Sequence, residues 1–210
     1  RFLLAVRGGS DRHICINMDL TAGQRAGHFH LSELSGNIYL ENRYSLEHTY
    51  FPHWTLRNLW QLSRYLPTYK FQIEFPNTEL NHDKYAQDPL APAAFGIEYA
   101  CAVTMMANPL CFMETARLSK ASVRKLGALI RAYRPHQPAM LLGDVHPIGE
   151  EPSGRSWTGF QSVTGPGTGY LLVFREYTSR KSGNFILRDL EPGTVLRLER
   201  IAGADAGRRL

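Results

Sequence analysis

Cysteine is scarce in this chain: three residues in 210, odd in number and far apart at Cys15, Cys101 and Cys111. That fits free thiols better than a disulfide framework. All three sit in apolar runs, so the sequence predicts reduced, buried thiols. A structural metal is equally unsupported. His28 and His30 form the one close histidine pair, and no Cys pair accompanies them to complete a zinc set. No apolar run approaches the roughly 20 residues a bilayer helix needs. Neither GK[ST] nor GxGxxG occurs, so a dedicated phosphate cradle is absent. The opening RFLLAVRGG has no initiator Met, and its apolar stretch is too short for a signal peptide; it predicts a cut N-terminus. Such an N-terminus leaves secretion open, and the unpaired cysteines lean towards a cytoplasmic setting. No internal repeat stands out, and no cofactor is implied.

What is present is ordinary globular composition. Apolar residues make up 43 %, enough for a packed core. A net charge of +5 comes from scattered basic residues, with denser groups only at 131–134, 175–181 and 208–209. A nucleic-acid surface would align them on one strip with interleaved aromatics, so they read as solvated surface, with neither nucleic acid nor membrane as partner.

The densest information lies in 41–77. NIYLE (37–41) and FQIE (71–74) are short apolar runs that end in an acid. Between them Pro52 suits a first helical turn. Leu56, Leu59, Trp60 and Ser63 fall at helical spacing, and Pro67 ends the helix. This is a strand–helix–strand unit of the kind that builds parallel sheets. His13–Asp19 (HICINMD) reads as an earlier strand, and Pro109–Glu114 (PLCFME) as a later one. The strand ends are thus Asp19, Glu41, Glu74 and Glu114. A complete barrel has eight strands and about 250 residues, so the pattern predicts half of one. Two open sheet edges would be a liability, which places the missing strands upstream.

The polar loop 76–92 carries Asp83 and Asp88, and a loop of that length is expected to be functional. Ala93–Met106 is apolar nearly all round and predicts a buried helix. Ser119 can cap a further helix with Val123, Leu126, Ile130 and Tyr133 as its apolar stripe and Pro135 as its stop. Beyond residue 135 glycine and proline rise. Gly169–Arg175, Asn184–Arg188 and Thr194–Arg200 read as antiparallel strands, with turns at 165–167, 182–183 and 192–193. The predicted organisation is α/β: residues 1–134 as the C-terminal half of a (β/α)8 barrel, and 135–210 as an antiparallel β domain. Trp157 in SGRSWTGF is expected at the junction between them.

The order and spacing of NRY, PHWTLRNLWQLSRYLP, QIEFPN, PLAPAAFGIEYACAVTMMANPLCFME, PSGRSWTGFQ and GYLLVFRE resemble the C-terminal part of α-galactosidase-like glycoside hydrolases, the melibiase clan close to family thirty-six. The similarity spans about residues 12–200. It implies a (β/α)8 barrel followed by a β-sandwich, and retaining hydrolysis by two carboxylates. In that clan the nucleophile is an Asp ending strand four, and the acid/base is a carboxylate ending strand six. A Gly-rich loop after strand five lies against the sugar. On this resemblance His13–Asp19 with LTAGQRAG corresponds to strand five, 37–41 to strand six, 71–74 to strand seven and 109–114 to strand eight. The nucleophile strand has no counterpart here, so the chain by itself is expected to be inactive. Leu40-Glu41-Asn42-Arg43 also departs from the Ser-Asp-Asn-like setting usual at strand six.

Glu41 is therefore the candidate acid/base, with Glu47 and Asp19 in reserve. The alternatives for Glu41 are a hydrogen bond to substrate or an ion pair with Arg43. Asp19 and Glu74 can accept sugar hydroxyls or serve structure, by loop capping in the case of Asp19. Gly23 allows close backbone approach to a ligand, Arg43 can orient a carboxylate or touch a hydroxyl, and Trp54 or Tyr50 can stack on a sugar face. Trp60 belongs to the core stripe, and Glu114 tethers the last loop. Two other functions compete with hydrolysis: a non-catalytic carbohydrate-binding protein on the same scaffold, and a nucleotide or phosphosugar enzyme that binds phosphate through the backbone of barrel loops.

Overall fold

A computed structural model describes residues 16–19, 35–41, 51–80 and 87–203, with isolated positions 5, 8, 9 and 14. Four short strands, β1 (Asn17–Asp19), β2 (Asn37–Glu41), β3 (Phe71–Glu74) and β4 (Asn108–Leu110), form one sheet in sequential order. Every neighbouring pair is parallel. Helix α1 (Pro52–Leu62) connects β2 to β3, and α2 (Pro92–Ala102) connects β3 to β4. Then come α3 (Lys120–Tyr133) and α4 (Gln137–Leu142), followed by a separate antiparallel sheet of β5 (Asp144–Gly149), β6 (Trp157–Gly165) and β7 (Thr168–Arg175). The chain is mixed α/β, with a parallel four-stranded sheet and an antiparallel three-stranded one. Among the described residues no helix is long and apolar enough to cross a membrane.

The first sheet follows local signals closely. Pro52 opens α1, where its missing N–H costs nothing, and the chain leaves the helix before Pro67. Ser119 caps α3 by accepting the Ser122 N–H. Ile38, Leu40, Phe71, Ile73 and Phe75 bury one face of the sheet against Leu56, Leu59 and Trp60 of α1 and Ile97, Ala100 and Cys101 of α2.

Several expectations need correction. Strand β4 starts at Asn108 and stops at Leu110 rather than running to Glu114. Its partner β3 ends at Glu74, and Pro76 beyond it has no N–H with which to extend the ladder. The expected helix 93–106 ends at Ala102 and breaks at Gly96, whose φ of 77° is left-handed; looser turns continue to Ala107. The buried stripe of α3 is Leu126, Leu129 and Tyr133, whereas Val123 and Ile130 are 51 % and 42 % exposed. Cys101 is buried, and desolvation pushes its thiol up to about 12; Cys111, expected to be buried, is exposed.

The C-terminal region departs further. Residues 184–188 and 194–200 do not form strands, and β5 and β6 arise where none was expected. Pro147 lies in β5, which it tolerates because β5 is an edge strand. Ile186 and Val195 stand in solvent with no partner strand beside them. Arg188 is tied instead by the Gln161 side-chain amide, which donates to its carbonyl and accepts its N–H.

The two sheets share one apolar cluster that includes Phe160 of β6 and Phe174 of β7. Trp157 is not its seam: its indole N–H donates to the Arg180 carbonyl, and its ring lies beside Phe185. The seam is α1. Trp60 Nε1 donates to the Ile148 carbonyl at 3.3 Å, and Arg57 Nε to the Pro152 carbonyl at 2.6 Å. Gln61 Nε2 donates to Glu151 at 2.8 Å.

Candidate functional site

In a parallel strand alternate side chains point to opposite faces. One face of the first sheet is the buried apolar layer. The other carries Asn17 and Asp19 from β1, Asn37 and Tyr39 from β2, Gln72 and Glu74 from β3, and Asn108 and Leu110 from β4. Seven of these eight are polar. Asn17 and Asp19 are exposed, and Asn37, Tyr39, Gln72 and Asn108 are half-buried. Parallel sheets are ordinarily apolar on both sides, so a polar second face marks where something other than core packs.

The face is organised by its own hydrogen bonds. Asn17 Nδ2 donates to Gln72 Oε1 at 2.8 Å, reaching past β2. Tyr39 Oη donates to Glu74 Oε2 at 2.7 Å, joining β2 to β3. Glu74 is 0 % exposed. Asn108 serves the backbone, donating to the carbonyls of Tyr69 and Phe71.

Asp19, Glu41 and Glu74 end three adjacent parallel strands, so all three reach the same edge of the sheet. Asp19 pairs in register with Tyr39, and Tyr39 with Gln72. Between Tyr39 and Glu41 the register shifts by a bulge that takes in Leu40 and sets Glu41 opposite Ile73. Bulges of this kind re-aim the residue that follows them and recur beside active sites. Glu41 is described by its backbone alone. Gly23, Arg43, Glu47, Tyr50 and Asp83 lie outside the described residues.

The loops at this edge are pinned from below. Asn77, buried, donates to the Glu114 carbonyl at 3.1 Å, and its Oδ1 accepts the Glu79 N–H. The carboxylate of Glu79 then accepts from Ser119 N, Ser119 Oγ and Ser122 Oγ at the start of α3. Through its carbonyl Glu114 takes part in this loop tether, off the end of β4. Asp88 accepts the Leu90 N–H, so part of its carboxylate shapes the long loop.

Trp54 lies in the first turn of α1, the helix that follows β2 in chain order. It is 37 % exposed and rests against Phe51 at 4.9 Å and His53 at 5.8 Å between ring centroids. His53 itself was not foreseen. It is buried, and its Nδ1 has no hydrogen-bond partner among the described residues. Burial lowers its pKa, with the Arg57 cation adding to the effect and Asp88 opposing it.

The residues missed by sequence reasoning are Asn17, Asn37 and Gln72. Their signal was available in N-x-D, N-x-Y-x-E and Q-x-E, polar residues at every second place in otherwise apolar strands. Among the described residues no group of three or more His, Cys, Asp or Glu is arranged to hold a metal ion. No known family, no curated protein and no solved structure matches the chain.

Proposed function

We propose that this chain is the C-terminal half of a (β/α)8 barrel joined to an antiparallel β domain, and that it belongs to a retaining glycoside hydrolase acting on α-galactosides or related α-glycosides. One observation carries the reading: Asp19, Glu41 and Glu74 end three adjacent parallel strands on one edge of the sheet. In a β/α barrel that edge is where substrate is held and transformed. Sequential strand order, helices packed against the apolar face and a polar opposite face all support the barrel.

Retaining hydrolysis needs two carboxyl groups about 5 Å apart across the anomeric carbon. In the proposed mechanism a nucleophile carboxylate from an upstream strand attacks that carbon. Glu41, protonated, gives its proton to the departing oxygen, and as a carboxylate it then takes a proton from the water that releases the sugar. Asp19, exposed on the polar face, accepts ring hydroxyls. Trp54 offers an apolar face to the pyranose. Gly23 lets the backbone approach the sugar, and Arg43 orients the acid. Neither metal nor organic cofactor enters this scheme.

The test is hydrolysis by the full-length protein of nitrophenyl α-galactoside and of α-glycosides with poor leaving groups, with Glu41→Gln alongside. Nitrophenolate departs without protonation. The variant is therefore expected to lose roughly 100-fold or more on poor leaving groups and much less on the nitrophenyl substrate. Equal losses on both would remove Glu41 from the acid/base role. A protein that binds these sugars but cleaves none would be a carbohydrate-binding protein on the same scaffold.

A further inference from the structure

The antiparallel sheet has a second face that the glycoside scheme leaves unused. Gln161 pairs in register with Leu171, and Val163 with Gly169, so all of them share one face of β6 and β7. Phe160, Leu172 and Phe174 take the other face and join the apolar cluster. Segments 187–190 and 196–198 wall the first face and leave a cleft of about 260 Å³, at the small end of ligand sites. The wall is held from the sheet: Gln161, buried, donates to the Arg188 carbonyl at 2.9 Å and accepts the Arg188 N–H at 2.8 Å. Asp189 follows with a φ of 55°, the one non-glycine residue at positive φ among those described. Backbone held in that region is unusual away from glycine and collects at ligand clamps.

Apolar lining comes from Val163, Leu171, Leu187, Leu190, Leu196 and Leu198, with Leu171 and Leu198 still 39 % and 43 % exposed. Tyr170 also lines the cleft, but its ring lies edge-on to His136, with centroids 5.6 Å apart. No ring is left as a platform for a sugar. The charged lining residues are Arg188, Asp189 and Arg197. No ion pair joins them, and among the described residues neither guanidinium has a hydrogen-bond partner. Two cations against one carboxylate leave a single positive charge, which suits a monoanion better than a dianion. The guanidinium fork matches a carboxylate bidentately. We infer that this cleft binds a small monocarboxylate with a short apolar chain, its head held by Arg188 and Arg197 and its chain by the leucines. The inference stands apart from the glycoside reading and gives the antiparallel sheet a ligand of its own.

The test titrates hexanoate, hexanol, hexylammonium and acetate into the full-length protein and reads dissociation constants by calorimetry. Hexanoate should saturate a single site below about 10 mM, within reach of so small a ligand. Hexanol and hexylammonium keep the chain but lose the anion, so both should bind at least about tenfold more weakly. Acetate keeps the anion but loses the chain, and should weaken by at least about tenfold as well. The double variant Arg188→Gln/Arg197→Gln should lose about tenfold or more for hexanoate and change less than about threefold for hexanol. Both side chains are exposed and unbonded, and the Gln161 clamp uses only the Arg188 backbone, so the variant keeps the fold. Failure of hexanoate to saturate by about 10 mM would overturn the inference. So would hexanol or acetate binding as tightly as hexanoate, or a double variant that binds hexanoate unchanged. None of these outcomes bears on α-glycoside hydrolysis, so the two readings fail separately.

Discussion

The parallel sheet is built from strands of three to five residues and the antiparallel sheet from strands of six to nine, and the two stand in opposite relations to their sequence. In the parallel region β2 and β3 run over the very residues their pattern predicts, and α1 starts at the proline that announces it. In the C-terminal region two predicted strands are absent, and two unpredicted ones, β5 and β6, form most of the sheet. In the first region α1 lies between β2 and β3 and α2 between β3 and β4, each helix opening on a proline. A strand of the second exists only through the neighbour it pairs with, and β5 with its proline depends wholly on β6. The lesson is that local punctuation carries over into structure where elements alternate, and pairing overrides it where strands follow strands.

The comparison breaks if the two regions are not energetically joined. Phe71 is almost fully buried within the cluster that also holds Phe160 and Phe174. Phe71→Ala is expected to cost about 3–5 kcal/mol. It should lower hydrogen-exchange protection in β6 and β7 together with β2 and β3. Protection lost in the parallel sheet alone would show that the shared cluster does not couple them.

A smaller effect sharpens the claim about local punctuation. Ser119 caps α3 and also donates to Glu79, which binds the β3 loop to that helix. Ser119→Ala is expected to cost about 1 kcal/mol, read from urea midpoints. A loss under a few tenths of that figure would mean that tertiary packing, not the cap, sets where α3 begins.

The smallest effect concerns acid response, in which the two regions have opposite signs. His53, on α1, has a lowered pKa because burial and the Arg57 cation disfavour its charged form. Its contribution to stability is present above the ordinary histidine value near 6.5 and is lost as the pH falls from there through the folded value. Glu176, after β7, is raised chiefly by burial, although the Ser156 and Ser153 N–H groups oppose the shift. A folded carboxyl that holds its proton more tightly favours the native state in acid. Its contribution is complete below the ordinary value near 4.5 and is lost as the pH rises through the folded value. Relative to Glu176→Gln, the wild type should gain stability between neutral pH and the carboxylate range. Relative to His53→Gln, it should lose stability below about 6.5. Parallel pH curves for either pair would remove that group from the balance.

The candidate site was legible in part. Strand-end acids could be found because a short apolar run closing on Asp or Glu is a local pattern, and β1, β2 and β3 place Asp19, Glu41 and Glu74 along one edge. The expected fourth, Glu114, lies beyond the end of β4 because the ladder stops at Leu110. The Tyr39–Glu74 pair spans 35 positions of chain, and Asn17–Gln72 spans 55. Neither partner advertises the other locally.

The sequence by itself determined where chain direction changes. Prolines and the Ser119 cap act within a turn or two, so their effect is written beside them. It also determined which strand residues are apolar, and hence which face of the parallel sheet is core. Only the tertiary structure decided what meets on the other face, that α1 rather than Trp157 lies on the seam between the sheets, and that 184–188 and 194–200 form no strand. A strand or a buried polar contact is completed by a group far away in the chain, and its stability belongs to the pair.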